Sequence, residues 1–190
     1  IEEEFLLQDQ IVVERRLERL QRDLAKRKSP ELLAEKVVLE TCLEALEQGR
    51  PLRALSFDEA AEKKVRGFTF LSLKPLLVVL NVGEDDIASD GFRDDSWAEW
   101  RSRPGLAFTH VCATLEGELA ELEGEDAGVF MTDLGLTESA LDRVIRESYR
   151  LLGLISFFTV GEVECRAWSI QAGTPAVEAG GVIHSDIQRG

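Results

Sequence analysis

Apolar and charged positions alternate with a helical period over the first fifty residues. The first apolar set is Leu6, Val13, Leu17, Leu20 and Leu24. Ser29-Pro30 interrupts it, and these are favoured N-cap and first-turn residues for a new helix. The second apolar set is Leu32, Leu39, Leu43 and Leu46. Gly49 is a typical helix end. Because the break is short, the pattern predicts an antiparallel helical hairpin with coiled-coil character.

Capping residues predict further helices downstream. Ser56-Phe57-Asp58-Glu59 has the spacing of a capping box and predicts a short helix that runs through Val65. Residues 115–122 form an acidic helical segment. Thr137 is a candidate N-cap for a helix that closes near Gly153. Between these segments, Trp97 and Trp100 have the i, i+3 spacing of one face of a short helix.

Two apolar runs predict strands between the helices. Residues 76–80 are uninterrupted apolar positions rich in branched side chains, which is typical of a strand buried on both faces. Residues 108–113 form a second candidate strand. The alternation of strands and helices predicts an α/β architecture. Both runs end in small or polar residues, and open α/β sheets bind ligands at the carboxyl ends of their strands.

The last part of the chain has a different pattern. Residues 155–159 and 164–170 predict a pair of strands around Gly161, and the second strand alternates between two faces. Gly173-Thr174-Pro175 and Gly180-Gly181 predict loops. No helix is predicted to cover these strands, so we expect the beginning of a β-rich domain.

Composition narrows the class of protein. The chain has 190 residues, a hydrophobic fraction of 44% and a net charge of −14. These values exclude wholesale disorder, and no apolar run reaches the length of a membrane span, about 20 residues. So acidic a surface disfavours nucleic-acid backbones outside a dedicated basic patch. The densest basic stretch comprises Arg15, Arg16, Arg19, Arg22, Lys26, Arg27 and Lys28. Three widely spaced cysteines predict reduced thiols and a cytoplasmic location.

The familiar catalytic motifs are not present. The sequence contains no phosphate-binding G-x-x-x-x-G-K-[ST], no G-x-G-x-x-G, no H-E-x-x-H and no G-x-S-x-G. His110 falls in a predicted strand, which favours a structural role. His184-Ser185-Asp186 predicts a turn or contact surface, because three adjacent residues cannot converge as a triad. Asp85-Asp86 and Asp94-Asp95 lack calcium-loop spacing, so no metal site is expected.

Two strand ends carry a more specific pattern. Asn81-x-x-Glu84 follows the first predicted strand, and Cys112-Ala113-Thr114 closes the second. P-loop GTPases recognise their base with Asn-Lys-x-Asp and Ser-Ala at such positions. Here Val82 replaces the Lys, Glu84 the Asp and Cys112 the Ser. A carboxylate pairs with the two N–H donors of guanine, whereas adenine presents an acceptor beside its amino group. The changes therefore predict a weakened preference for guanine; an ordinary polar loop is the alternative.

The order of these parts resembles the Obg-like ATPase (YchF) family over essentially the whole chain. The most specific stretches are residues 133–146, 149–162, 166–170 and 181–186. The acidic segment from Ala113 to Leu122 resembles the family's helix after the second base-binding loop. The resemblance implies a helical coiled-coil insertion at 1–68. It also implies the C-terminal part of a P-loop G-domain at 69–152, and the N-terminal part of a TGS domain at 153–190.

The resemblance also implies a function. It implies ATP binding and hydrolysis in preference to GTP. The base-binding residues it implies are Asn81, Val82, Glu84, Cys112, Ala113 and Thr114. The phosphate-binding loop and the magnesium ligands are expected before Ile1, so the chain supplies no catalytic residue and no turnover of its own.

Association with the ribosome or RNA is implied too, without membrane binding or DNA sequence specificity. The contacts expected for it are Arg15, Arg16, Arg19, Arg22, Lys26 and His184. Two alternatives stay open: a non-enzymatic docking module that uses the helical arm and the TGS part, and an acidic α/β protein with no nucleotide site.

Overall fold

The computed structural model describes residues 1–88 and 97–189. The chain divides into two compact units. The first comprises Ile1–Leu76 with Arg103–Gly105, and the second comprises Leu77–Ser102 with Leu106–Gly190. The three-part division at residues 68 and 152 stays a prediction.

The first unit is built on a helical hairpin, as predicted. Helix α1 (Glu2–Lys26) and helix α2 (Pro30–Glu47) are joined at Ser29, whose hydroxyl oxygen accepts a hydrogen bond from the N–H of Leu32 at 3.4 Å. The buried apolar side chains of the hairpin are Leu6, Val13, Leu17, Leu20, Leu39, Cys42, Ala45 and Leu46. They follow the predicted apolar sets closely, because a two-helix packing buries one face of each helix.

A short helix and two 3-10 turns complete the packing of this unit. Helix α3 (Glu59–Val65) lies between the turns Leu52–Ala54 and Arg66–Phe68. The capping box predicted at Ser56 is wrong. Asp58 is the N-cap, and its carboxylate accepts from the N–H of Ala61 at 2.7 Å. A residue directly before the first turn reaches that N–H, whereas Ser56 lies two residues further back.

A charged cluster lies at the base of the hairpin. The carboxylate of Glu2 pairs with the guanidinium of Arg53 and, at 3.5 Å, with that of Arg103. The side chain of Arg53 is 4% exposed and also donates to the carbonyl of Ser72. Gly105 adopts φ +64°, and a Cβ there would lie 3.0 Å from Cδ of Arg53. A side chain at position 105 would therefore require Arg53 to shift.

A parallel strand pair carries the polar loops of the second unit. It consists of strands β1 (Leu76–Asn81) and β2 (Leu106–Val111). The N–H of Leu76 donates to the carbonyl of Gly105, and the N–H of Val82 donates to that of Val111. Both strands advance in the same direction between these bonds, so the pair is parallel. The predicted end of the second strand is wrong, since β2 stops at Val111 and a helix begins at Ala113.

Helices follow both strands. They are α4 (Glu84–Ala88), α5 (Ala98–Arg101), α6 (Ala113–Glu121), α7 (Glu125–Asp133) and α8 (Ala140–Leu151). Trp97 is the N-cap of α5, three residues before Trp100, and packs on Phe108 with ring centroids 5.7 Å apart. The cap predicted at Thr137 is wrong: Ser139 is the N-cap of α8. Helix α7 was not predicted, and Asp94-Asp95 lies outside the described residues.

The predicted strand pair near the end of the chain is confirmed. Strands β3 (Leu154–Val160) and β4 (Cys165–Gln171) form an antiparallel hairpin in which Phe157 lies opposite Trp168. The indole N–H of Trp168 donates to the hydroxyl of Thr159 at 3.0 Å. The guanidinium of Arg166 lies 4.2 Å from the ring of Trp168.

The loop predicted at 173–175 is confirmed, but two helices follow it, and the loop predicted at 180–181 is wrong. The two helices are α9 (Ala176–Ile183) and α10 (Ser185–Arg189). Gly180-Gly181 lies inside α9. A Cβ on Gly180 would come within 2.8 Å of Ile187, and one on Gly181 within 2.7 Å of Gln188. Gly180 therefore permits the close approach of Ile187 on α10, and neither glycine forms a turn.

The predicted fold class is confirmed, since the chain combines a helical hairpin, an α/β segment and a small β-hairpin. Cys42, Cys112 and Cys165 are all free thiols. Within residues 1–88 and 97–189, no helix has both the length and the apolar character needed to cross a bilayer.

Candidate functional site

The two predicted recognition loops meet through one hydrogen bond. Asn81 is the last residue of β1, and its carboxamide oxygen accepts from the backbone N–H of Ala113 at 3.1 Å. Ala113 is the first residue of α6, directly after β2. Because parallel strands end at the same edge of a sheet, β1 and β2 place these residues side by side.

This bond fixes which way the Asn81 carboxamide faces. Its oxygen is used by the second loop, so its NH2 group is the part left to bind a ligand. Asn81, Ala113 and Thr114 are all exposed. The site therefore presents amide donors on an open edge, next to the first turn of a nine-residue helix.

The other predicted base-binding residues lie around this pair. Val82 is half-buried, and its N–H is used in the bond to Val111. Glu84 is exposed as the first residue of α4. Cys112 is the N-cap of α6 and is 3% exposed, with no side-chain capping bond. The thiol of Cys112 is therefore not exposed to a ligand.

The predicted basic contacts lie on α1 and at the end of α9. Arg19, Arg22 and Lys26 line a surface groove of about 270 Å³ together with Asp23. Arg15 is exposed. Arg16 differs from these residues, because its guanidinium makes two hydrogen bonds to the carboxylate of Glu35, at 2.7 and 2.9 Å. This bonding raises the pKa of Arg16 and commits its charge to the hairpin.

The predicted histidine contact is a separate feature. His184 is the C-cap of α9, and its side chain is 64% exposed. Its Nδ1 atom accepts from the N–H of Asp186 at 3.2 Å and lies 3.4 Å from the carboxylate of that residue. The turn predicted at 184–186 is wrong, because only His184 lies between the helices and Ser185 already begins α10.

Two residues that support the site were missed in the sequence. Glu116, three positions after Ala113, accepts from the N–H of Ala140. Arg143 donates to the carbonyl of His110. Their partners are 24 and 33 residues away, so no local pattern identifies them. The one available signal is an acidic residue in the first turn after a candidate ligand loop.

We assign no magnesium ligand. Among the residues that the structure describes, no three His, Cys, Asp or Glu side chains lie close enough together to hold a metal ion. The donors at the Asn81 edge are amide groups, which suit a heterocyclic base better than a cation.

Comparison with known proteins places this geometry in context. Residues 154–190 match the family model described as YchF-GTPase_C, a protein of unknown function. A relative from Bacillus subtilis (strain 168), named Ribosome-binding ATPase YchF, is 40% identical over 189 residues, which cover 98% of this chain and 51% of the relative. One of the same name from Escherichia coli O157:H7 is 40% identical, covering 100% and 52%.

The solved structures include a similar fold. The Schizosaccharomyces pombe YchF GTPase matches with a TM-score of 0.81 and 29% identity, covering all of this chain and 52% of that one. The chain thus spans about half the length of the relatives it matches.

Proposed function

The chain belongs to the YchF family, and on this basis we propose that it supplies the base-recognition part of a nucleotide-binding protein that prefers ATP to GTP. The observation that carries the proposal is the hydrogen bond from Ala113 to Asn81, at 3.1 Å. It joins the two loops that the sequence assigns to the base. It also turns the NH2 group of Asn81 toward a ligand.

The chemistry of the edge favours a purine. The Asn81 NH2 group donates to a ring nitrogen of the base, and the backbone at Cys112–Ala113 lines its other side. Val82 packs against the ring where P-loop GTPases carry a lysine. Glu84 begins α4 as an exposed residue one methylene longer than the usual aspartate. A longer carboxylate does not reproduce the paired contact that selects guanine, so adenine is accepted.

Hydrolysis belongs to the whole protein in this proposal. Relatives at 40% identity are named ribosome-binding ATPases. We therefore propose that the protein containing this chain hydrolyses ATP in the cytoplasm, with magnesium held by other residues. The chain itself supplies recognition of the base and no turnover.

Substitution of Asn81 tests the base site in the full-length protein. Asn81→Ala removes both the hydrogen bond between the loops and the donor, whereas Asn81→Asp keeps an acceptor for Ala113 and replaces the donor with a carboxylate oxygen. We expect each variant to lower ATP affinity by about tenfold, the value of one or two lost hydrogen bonds. Gln48→Ala, an exposed amide on the hairpin, is the control. Unchanged ATP affinity in both Asn81 variants would exclude this site.

A second function is favoured by the basic groove on α1. Arg19, Arg22 and Lys26 form a local positive surface in a chain of net charge −14. We propose that this groove, with Arg15 and His184 as further contacts, docks on the ribosome by binding RNA phosphates. Arg16 contributes less, because its charge is paired with Glu35.

Charge reversal tests this docking. The triple variant Arg19→Glu, Arg22→Glu and Lys26→Glu should bind purified ribosomes more weakly and with a smaller dependence on salt, because fewer counterions are released. Arg50→Glu, an exposed residue after α2, is the matched control. Identical salt slopes for the triple variant and the unmodified protein would exclude the groove as the contact.

A further inference from the structure

The loop that carries Cys112 and Ala113 is held from both sides by a single helix. His110 lies two residues before this loop, and Glu116 lies three residues after Ala113. Both are hydrogen-bonded to the first turn of α8, through Arg143 and Ala140 respectively. The helix therefore bridges the two ends of the loop.

The contact at Glu116 fixes the end of the loop that leads into α6. Its carboxylate accepts from the backbone N–H of Ala140 at 2.7 Å, and Ala140 is 3% exposed. An N–H in the first turn of a helix has no partner within the helix, and a negative charge there is favoured by the helix dipole. Since Ser139 caps the N–H of Asp142, the two bonds satisfy different donors.

The contact at Arg143 fixes the other end of the loop, where β2 leads into it. Its guanidinium donates to the carbonyl of His110 at 2.9 Å, near the end of β2. A charged donor makes this bond stronger than one between neutral groups. The backbone entering the loop at His110 and the helix leaving it at Glu116 are thus fixed to positions only three residues apart on α8.

The loop position matters because its backbone meets the partner strand. The N–H of Ala113 bonds to Asn81 across 3.1 Å, so a shift of the loop backbone relative to β1 would break this hydrogen bond. The side chains of Cys112 and Leu115 are buried, at 3% and 7% exposure, and anchor the loop in the protein interior. These two side chains hold the loop by apolar packing, whereas the hydrogen bonds to α8 hold the backbone on either side of it.

We propose that Glu116 and Arg143 are positioning residues for base recognition. They hold the Cys112–Ala113 backbone, through α8, at the distance where it bonds to Asn81 and lines the base. This inference rests on the proposed base site and adds to it residues that touch no nucleotide. Loss of either contact lets the loop shift, and the contribution of the base to binding falls while that of the phosphates stays.

The test compares two probes in the full-length protein: ATP, and ribose 5′-triphosphate, which lacks the base. Glu116→Ala and Arg143→Ala should each lower ATP affinity by about tenfold and leave affinity for ribose 5′-triphosphate unchanged. Glu116→Gln keeps an acceptor for Ala140 and should retain most of the ATP affinity. Glu118→Ala and Arg150→Ala, exposed residues of α6 and α8, are the matched controls.

The outcomes separate the two proposals. If the unmodified protein binds both probes equally, there is no base recognition, and the proposed function fails together with the positioning role. If it prefers ATP and the alanine variants keep that preference, only the positioning role is overturned. An equal loss for both probes, or a loss in Glu116→Gln as large as in Glu116→Ala, also overturns it, because either result indicates general destabilisation.

Discussion

The backbone N–H of Ser72 donates to the carboxylate of Asp9 at 2.7 Å, across 63 residues of sequence. The second carboxylate oxygen accepts from the N–H of Leu71 at 2.8 Å. Asp9 is 3% exposed and Ser72 is fully buried. This one side chain therefore satisfies two backbone donors in the segment that leads into β1, and it fixes that segment to the hairpin.

Removal of this carboxylate should destabilise the first unit. Asp9→Ala leaves two backbone donors without their acceptor, which we expect to lower the free energy of unfolding by about 2–4 kcal/mol. Glu3→Ala, an exposed residue of the same helix, should change it by less than about 0.5 kcal/mol. Urea unfolding followed by circular dichroism measures both. Equal effects of the two substitutions would contradict a stabilising role for Asp9.

Alanine substitutions at Gly49 and Gly105 distinguish the cost of a left-handed backbone from the cost of a steric clash. Gly49 and Gly105 have φ of +70° and +64°, and only Gly105 has a neighbour within 4 Å of an added Cβ. Gly49→Ala should cost about 1 kcal/mol from the left-handed backbone. Gly105→Ala should cost more, because the methyl group displaces Arg53 from its pair with Glu2. Thermal unfolding compares the two variants, and equal losses would show that Arg53 adjusts freely.

The buried thiol of Cys42 predicts a pH dependence of stability. Burial, and then the negative charge of Asp9, raise the pKa of Cys42 from 9.0 to about 11. Between these values the unfolded chain loses the proton while the folded chain keeps it, so stability falls as pH rises through this window. Below pH 9.0 both states are protonated and the thiol contributes no slope.

Comparison with Cys42→Ala isolates this effect. The urea midpoint of the unmodified chain should drop more between pH 8.5 and pH 10.5, roughly the range that the pKa difference defines, than that of the variant. Other groups that titrate there contribute to both proteins and cancel in the comparison. A drop of the same size in both would show that Cys42 does not titrate differently on folding.

The pair between Arg16 and Glu35 predicts a measurable coupling across the hairpin. Their two hydrogen bonds, at 2.7 and 2.9 Å, are partly exposed. A double-mutant cycle with Arg16→Ala and Glu35→Ala should give a coupling of about 0.5–1 kcal/mol, toward the upper end for an exposed pair. The same cycle on Lys36 and Glu40, an i, i+4 pair within α2, should give about 0.3–0.5 kcal/mol. A smaller coupling for the first pair than for the second would contradict this.

Periodic and topological signals in the sequence were reliable. The apolar sets of the hairpin predicted both helices, and Ser29-Pro30 predicted the start of the second. The apolar run before Asn81 predicted a strand, and β1 confirms it, but β1 is not buried on both faces because Val79 is 43% exposed. Its parallel pairing with β2 places Asn81 near Ala113. Each of these signals is local or follows from a rule that holds for most parallel sheets.

Choices that depend on tertiary contacts were not predictable. Gly180-Gly181 has the composition of a loop, and only the packing of Ile187 and Gln188 explains glycines inside a helix. Ser56 and Thr137 were predicted as N-caps, but Asp58 and Ser139 cap the two helices. Several polar residues precede each helix, and the sequence does not show which of them reaches a free backbone N–H. The bonds of Glu116 and Arg143 span 24 and 33 residues and have no local pattern.

The register of β1 and β2 makes the base site more sensitive to insertions and deletions in these strands than to apolar substitutions. The bonds at Leu76 and Val82 lie six residues apart on one strand, and their partners Gly105 and Val111 lie six residues apart on the other. One residue inserted into β1 would turn Asn81 to the opposite face of the sheet, because side chains alternate. One residue inserted into β2 would displace Ala113 from its position opposite Asn81. Apolar substitutions within β1 and β2 should therefore be tolerated during divergence, whereas single-residue insertions and deletions should be eliminated.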